Sequence, residues 1–426
     1  MNANRSARTL LLIACLVPAG ARAAGYGVYE QGAAALGMAG AFCATANDAT
    51  AQFYNPAAMS WLEGTRLAGG ASWLSTRTSF AGIPEYPGYG TVEEMEAGNF
   101  FPPAVYWTQR FGSRFAVGAG VNAPFGLGVE WQDPATFTAR ERVTKAVLET
   151  LKASGSVALR VTDYWSVAAG ADMLNARVEL NNISTVIGDG GAPINAIQVK
   201  LESDFTPGWG YHVALNGRPT ESWRLGAMYR SQIDVDVTDG RATFTQIPTG
   251  DPALDAVVAA NQPPNQPVAT KLVFPASVTL AIAWTPSAEW TYEVDGIWTG
   301  WSAFQELDLE FPEDPSLDQT IVEDYNDQFA VRVGTERRFP RYALRGGYYY
   351  DQAAAPAESV TPLLPDATRH GFTLGLGMQR GAWTIDVYNL FLFVEKRSTE
   401  GREREGYDGV YKSYVNSLGA TLAYRW

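Results

Sequence analysis

Between Phe329 and Asp351 the chain reads FAVRVGTERRFPRYALRGGYYYD, two runs of alternating character on either side of Phe339-Pro340-Arg341. Phe329, Val331 and Val333 fall on one face of the first run, and Leu344, Gly346, Tyr348 and Tyr350 on one face of the second. The opposite faces carry Arg332 and Gly334, then Arg345, Gly347, Tyr349 and Asp351. A period of two is that of a β-strand, and the proline marks a tight turn, so the stretch predicts a hairpin with one apolar face and one small or charged face. In a soluble sandwich the apolar face looks inward; in a membrane barrel it looks outward to lipid.

The same alternation extends in both directions. It recurs at Val157, Leu159 and Val161, at Trp223 to Arg230, at Val278 to Trp284 and at Phe372 to Met378. In the final run Tyr414, Leu418, Ala420, Leu422, Tyr424 and Trp426 oppose Ser417, Gly419, Thr421 and Arg425, and the chain stops on an aromatic suited to a membrane interface. Short turns near 112, 163, 219, 287, 340 and 380 alternate with long linkers near 82–99, 129–145, 183–207, 246–268, 311–325, 352–367 and 398–410. Short turns on one side and long loops on the other are the pattern of outer-membrane barrels. The expected fold is therefore all-β, a transmembrane antiparallel barrel of about 14 strands.

The stretch Ala24 to Trp61 does not alternate. It is crowded with Gly and Ala and ends in Tyr54-Asn55-Pro56-Ala57, so it is expected to form a compact plug inside the wall. A barrel of this size needs one, because eight strands can be filled by side chains whereas sixteen or more leave a water channel. Residues 1–23 have a basic start, an apolar run and Ala21-Arg22-Ala23, the features of a secretory signal; a lipoprotein site at Cys15 would leave an apolar run of only about six residues, below the roughly 7 to 15 usual for such signals. The expected division is a signal peptide at 1–23, a plug or hatch at 24–61 and a barrel at 62–426. Removing the signal takes away three arginines and no acid, so the net charge moves from −13 to −16, which excludes a nucleic-acid partner. Cys43 is then the one remaining cysteine, and neither a metal nor a cofactor is expected.

Four stretches resemble the FadL/TodX-type outer-membrane transporters of long-chain fatty acids and other hydrophobic compounds: Asn55-Pro56-Ala57, Ala123-Pro124-Phe125-Gly126-Leu127, Trp298 to Phe304, and Leu344 to Gly377 with its Pro365-Asp366-Ala367-Thr368-Arg369. The resemblance implies a monomeric channel in the outer membrane of a Gram-negative bacterium, taking up an apolar small molecule passively, with outer-membrane lipid as its other partner. It also implies a hatch ending at Asn55, Pro56 and Ala57. The third strand should kink at Phe125, Gly126 and Leu127 and release solute sideways into the bilayer. Capture is expected in an outer-loop groove. Asp251-Pro252 starts a helix with Leu254, Val257 and Val258 on one face, and Ile194 and Ile197 in the preceding loop are the expected partners. Fatty-acid members use basic residues to hold a carboxylate, but here Asn181 and Asn182 stand in the region expected to supply one.

Other classes are weaker. The plug argues against a general diffusion porin. A barrel lipid hydrolase would need His212 or His370 beside a serine; His212, on the inward face with Gly210 and Ala214, reads as a lumen side chain. The inward acids Asp172, Glu293, Asp295, Asp351 and Asp386 are expected to pair with Arg160, Arg224, Arg230, Arg332 and Arg345.

Overall fold

The computed structural model describes residues 25–188 and 191–426; the signal peptide expected at 1–23 lies outside the described residues. Fourteen strands form the wall: β1 Thr65–Gly82, β2 Pro103–Phe111, β3 Phe115–Asn122, β4 Lys145–Arg160, β5 Trp165–Ile187, β6 Thr206–Gly217, β7 Trp223–Arg230, β8 Ser277–Trp284, β9 Trp290–Thr299, β10 Gln328–Arg338, β11 Tyr342–Asp351, β12 Arg369–Arg380, β13 Trp383–Val394 and β14 Gly409–Arg425. Each is antiparallel to the next, and β1 pairs with β14 along its length, Arg66 opposite Arg425 and Gly82 opposite Gly409, which closes the sheet.

Which face looks outward is decided by exposure. Phe329, Val331, Val333, Leu344, Phe372, Leu374, Leu376 and Met378 are all exposed, Leu374 to 66%, while the intervening Arg332 is 1% exposed and Thr373 and Asp386 are buried. This inversion of the soluble pattern is that of a lipid-facing wall. Aromatics gather where the strands meet the short turns: Trp223, Trp284, Tyr292 and Trp290 stack in sequence across β7, β8 and β9, and Tyr424 packs on Trp383 and Trp426. Among the described residues no helix is long and apolar enough to cross a membrane.

On the long-loop side the sheet continues above the barrel. Pro193–Glu202 pairs with the upper part of β5 and with Ile233–Gln246, which in turn pairs with Gln266–Phe274. Ile194 and Ile197, expected in a loop, are therefore on a strand. The alternation of Ile197, Val199 and Leu201 carried that signal, and the two-sided ladder made it structural. The apolar core of the molecule lies in this half, where Leu148, Leu180, Leu201, Leu272, Phe274 and Trp301 pack with the folded loops.

Residues 25–62 occupy the space inside the wall. Their partners are Ser156 on β4, Ser166 on β5, Asn216 on β6, Glu293 and Asp295 on β9, Arg332 on β10, Thr373 on β12 and Thr421 on β14, a set around most of the circumference that only a segment within the lumen can reach. Close approach requires glycine in the wall. A Cβ on Gly334 would lie 2.6 Å from Met38 O, and one on Gly226 would lie 2.5 Å from Cys43 O. Gly334→Val is thus expected to displace the segment while the lipid-facing ladder still forms. In planar bilayers the variant should conduct ions at least tenfold better than the parent at equal insertion; parental conductance would show that the segment does not seal the lumen.

Candidate solute path

The inner segment is held by wall groups that offer what its backbone lacks. Phe42 N–H and Cys43 N–H each donate to Asp295 Oδ2 at 3.1 Å, and Ala44 N–H donates to Glu293 Oε1 at 2.6 Å while Thr45 Oγ1 donates to Glu293 Oε2 at 2.5 Å. The expectation that these two acids pair with arginines is corrected here: neither is in an ion pair among the described residues, and backbone donors take Asp295 Oδ2 and the Glu293 carboxyl instead. Asp351 does pair with Arg332 at 3.3 Å and Asp386 with Arg345 at 2.6 Å, whereas Asp172 pairs with Lys152 at 3.2 Å. Of the remaining arginines, Arg230 lies on Phe53 and Arg160 on Trp61, aromatic faces of the segment. Asn55 joins the two parts: its Nδ2 donates to Cys43 O at 2.8 Å and Leu215 O at 3.0 Å, and its Oδ1 accepts from Ala57 N–H at 3.1 Å, with Pro56 opening the short helix Pro56–Trp61.

Above this anchor the third strand is interrupted. Asn122 lies opposite Lys152, but Gly126 lies opposite Glu149, so one extra residue is accommodated between them, a β-bulge at Ala123 to Phe125. The Thr150 hydroxyl repairs the ladder there, accepting from Phe125 N–H at 3.2 Å and donating to Phe125 O at 2.6 Å. The sequence placed the kink at Gly126. The bulge falls within the Ala123–Leu127 stretch expected to interrupt the strand, at its Pro124 end; Gly126 opens the regular run Gly126–Glu130, and a Cβ there would make only ordinary contacts, 3.6 Å from Leu148 O and Val28. Beyond the bulge the run keeps its bonds to β4 but leaves β2. Between the Ala104–Asn122 pair and the bond from Glu96 N–H to Glu130 O, no backbone hydrogen bond joins these two edges among the described residues. Phe100 lies across this gap, its ring over Gly128 where a Cβ would stand 2.2 Å away.

The freed edge is used by the start of the inner segment. Val28 N–H donates to Pro124 O at 2.8 Å and Gly126 N–H to Tyr26 O at 2.9 Å. Tyr26 is enclosed by Phe125, Phe274, Trp301 and Phe304, with its hydroxyl on Val273 O at 2.7 Å, and Arg369 Nη2 donates to Gly25 O at 3.1 Å. Asp366 braces the same loop, accepting from Ala354 and Ala355 N–H. Three motifs far apart in sequence, those containing Phe125, Trp301 and Arg369, therefore meet at Gly25 to Val28.

Three cavities meet at the same place. The largest, about 540 Å³, lies inside the gap and is bordered by Phe100, Phe101, Phe125, Gly126, Leu127 and Val28. A second, about 110 Å³, lies toward the short-turn side between Phe125, Tyr29, Lys152 and Arg332. The third, about 90 Å³, lies under the long loops among Leu127, Leu148, Leu180, Leu201, Leu272 and Phe304. The helix Pro252–Asn261 forms with Asp251 as its cap, and Val258 is buried, but Val257 is exposed. Leu254, Val257, Val258, Ile194 and Ile197 border none of these three cavities; Leu201, also expected as a partner of the helix from the same alternating run, lines the third together with Leu180. Asn181 and Asn182 are likewise absent from all three linings, and Asn181 is engaged with Glu179. Tyr26, Phe100 and Leu148 escaped the sequence reading, although their aromatic or apolar character on otherwise inward or loop positions was the available signal.

His212 sits in a buried chain: Ser156 Oγ is 2.7 Å from Nε2, and Nδ1 is 2.8 Å from Asp172 Oδ2. The distances are those of a nucleophilic triad. However, Gln52 Nε2 donates to Ser156 Oγ at 2.8 Å, occupying the place of a substrate, and neither Ser156 nor His212 borders the cavities above. The chain ties the inner segment to β4, β5 and β6.

The profile of the family described as outer membrane protein transport protein (OMPP1/FadL/TodX) matches residues 14–426. The chain belongs to this family. It is an outer-membrane barrel, 24% identical to outer membrane protein P1 of Haemophilus influenzae over 86% of this chain and 85% of that one, and 23% identical to the long-chain fatty acid transport protein of Escherichia coli over 93% of each. In fold it is similar to a Pseudomonas aeruginosa FadL homologue, with a TM-score of 0.80 at 20% identity over 94% of this chain and 100% of that one, and to the Pseudomonas putida toluene transporter TodX, at 0.73 and 18% over 93% and 98%.

In this member of the family the loop before β10 carries Glu323, buried against the small cavity. Burial, with Asp366 adding to it and Arg404 opposing, pushes its carboxyl from the ordinary 4.5 up to about 8. The packed loop thus favours the protonated form. Its contribution is complete below about pH 4.5 and is lost as pH rises through 8. Hydrogen exchange of residues 305–325 should accelerate between pH 6 and pH 9, after correction for intrinsic rates, and Glu323→Gln should remove the acceleration.

Proposed function

We propose that the chain is a passive uptake channel for hydrophobic compounds, with the segment 24–61, described from residue 25, as its hatch and a lateral exit beside the third strand. The observation that supports this most is the position of Tyr26 to Tyr29. These residues separate the three cavities and are fastened to the bulged edge by two backbone hydrogen bonds. A solute entering under the long loops meets Leu148, Leu180 and Leu201, reaches Tyr26, and on its displacement gains the larger cavity and the opening spanned by Phe100.

The magnitudes favour such a path for apolar solutes. Freeing the segment costs two backbone hydrogen bonds and those of the Tyr26 hydroxyl and the Gly25 carbonyl, about 0.5 to 1.5 kcal/mol each, and the burial of one aromatic ring, about 1.5 to 3 kcal/mol. A chain of some fifteen methylenes gains roughly 10 kcal/mol on leaving water for an apolar environment, at about 0.8 kcal/mol each. An apolar solute can offset the opening cost, whereas a small hydrophilic one brings nothing to offset it. Relatives named for long-chain fatty acid and for toluene transport are consistent with this class of solute.

The test uses the room around Gly126. Gly126→Ala should leave uptake of a labelled hydrophobic solute unchanged, since its Cβ finds ordinary contacts. Gly126→Arg should lower uptake at least tenfold at equal surface amounts, because it sets a charge in the passage where desolvation costs several kcal/mol. Phe100→Ala, which removes the ring across the gap, should raise the rate. Undiminished uptake by Gly126→Arg would reject the lateral exit and favour a straight path past Asn55, Pro56 and Ala57.

A further inference from the structure

The cavity under the long loops is apolar on nearly all sides, yet it holds one buried carboxyl. Its ionisable lining outside Tyr26 consists of Glu179, Glu202 and Glu323, with no Lys, Arg or His among the described residues. Glu179 lies 3.3 Å from Lys145 Nζ and Glu202 lies 2.7 Å from Lys200 Nζ, so both rim acids are paired. Glu323 is 1% exposed, and its Oε2 is buried without a hydrogen-bond partner. Its neighbour Asp324, not Glu323 itself, takes the guanidinium of Arg404. A buried polar atom with no partner is costly unless something supplies one, and here it borders the space a solute would fill.

We propose that this cavity receives the polar end of neutral apolar solutes carrying a single oxygen, such as alcohols or ketones whose chain extends beyond it, with Glu323 as the group that hydrogen-bonds the oxygen, and that it discriminates against carboxylates. The inference rests on the uptake reading above and narrows its solute class. An incoming carboxylate finds the buried Glu323 and, at the rim, two acids whose lysines are already paired, with no cation in the lining to hold it. A hydroxyl or carbonyl finds a carboxyl that burial keeps protonated at neutral pH and free to donate. Most of the wall is leucine and valine surface that is indifferent to the head group; Ser203 and Thr270 add hydroxyls, the latter also without a partner, and among the described residues Glu323 is the one lining carboxyl outside an ion pair.

Equilibrium binding of radiolabelled decane, 1-decanol, decanoate and decylamine to the full chain in lipid nanodiscs, with empty nanodiscs subtracted, tests this at pH 7. Decanol should bind at least tenfold more tightly than decanoate and than decylamine. Glu323→Gln, which still donates, should keep the decanol affinity; Glu323→Leu should reduce it to that of decane; Glu323→Lys should raise decanoate binding at least tenfold. Heat-modifiable migration of each variant confirms a folded barrel. Decanoate or decylamine binding wild type as tightly as decanol overturns the inference, as does a decanol preference that survives Glu323→Leu, and in either case the uptake reading stands. If none of the four probes binds above empty nanodiscs, the uptake reading falls and this one with it.

Discussion

Four consecutive backbone amides, from Phe42 to Thr45, end on two carboxylates of β9, and the arrangement of the lumen depends on that junction. Each side needs the other. Glu293 and Asp295 are buried without a cation, and buried polar groups are costly unless hydrogen-bonded; the amides belong to an irregular segment with few strand partners of its own. Each such hydrogen bond contributes about 0.5 to 1.5 kcal/mol, so the set together outweighs any single apolar contact the segment makes. Asn55 and Asn216 add neutral bonds on the far side, and the arginines that might have neutralised the acids are free to lie on Phe53, Tyr29 and Trp61.

The wall is built in two halves that differ in what they show the lumen. Along β4 the inward residues run Ser156, Ser154 and Lys152 near the anchor, then Leu148 and Ala146 toward the long loops; along β5 they run Ser166 and Asp172, then Leu174 and Leu180. The polar half fits a segment rich in backbone donors and acceptors. The apolar half fits an apolar guest. The bulge at Ala123 to Phe125 falls at the boundary, and the Thr150 hydroxyl lets it do so without leaving the Phe125 amide and carbonyl unpaired at membrane depth, where each unpaired group costs several kcal/mol.

Much of this was legible in the sequence because period two is a local signal. The hairpin at Phe329 to Asp351 and the turns at 112 and 380 could be located from neighbouring residues alone, and so could the helix capped by Asp251. The partners of the inward acids could not, since Asp295 meets Cys43 across 252 positions and nothing near either residue announces the other. The strand at Pro193–Glu202 was hidden by a proline start and a bulged partner, although Ile197, Val199 and Leu201 alternate. Gly126 drew attention as a breaker, but the extra residue sits upstream, where register against Lys152 and Glu149, a property of two strands, decides it. The clustering of Phe125, Trp301 and Arg369 on Gly25 to Val28 is of the same non-local kind, as is the meeting of Ser156, His212 and Asp172.

Tyr26 borders both the cavity under the long loops and the larger one beside the gap, and its ring is held by the same aromatic surface a guest would touch. Guest and tyrosine then compete for one surface, and competition of this sort is reciprocal: whatever factor the tyrosine takes from the guest's affinity, the guest takes from the tyrosine's hold. A molecule too small to reach the ring leaves the equilibrium untouched however tightly it binds, since only a difference in affinity between two states can shift them. On the proposed uptake path, size and shape therefore set a threshold for passage that is separate from the strength of first capture.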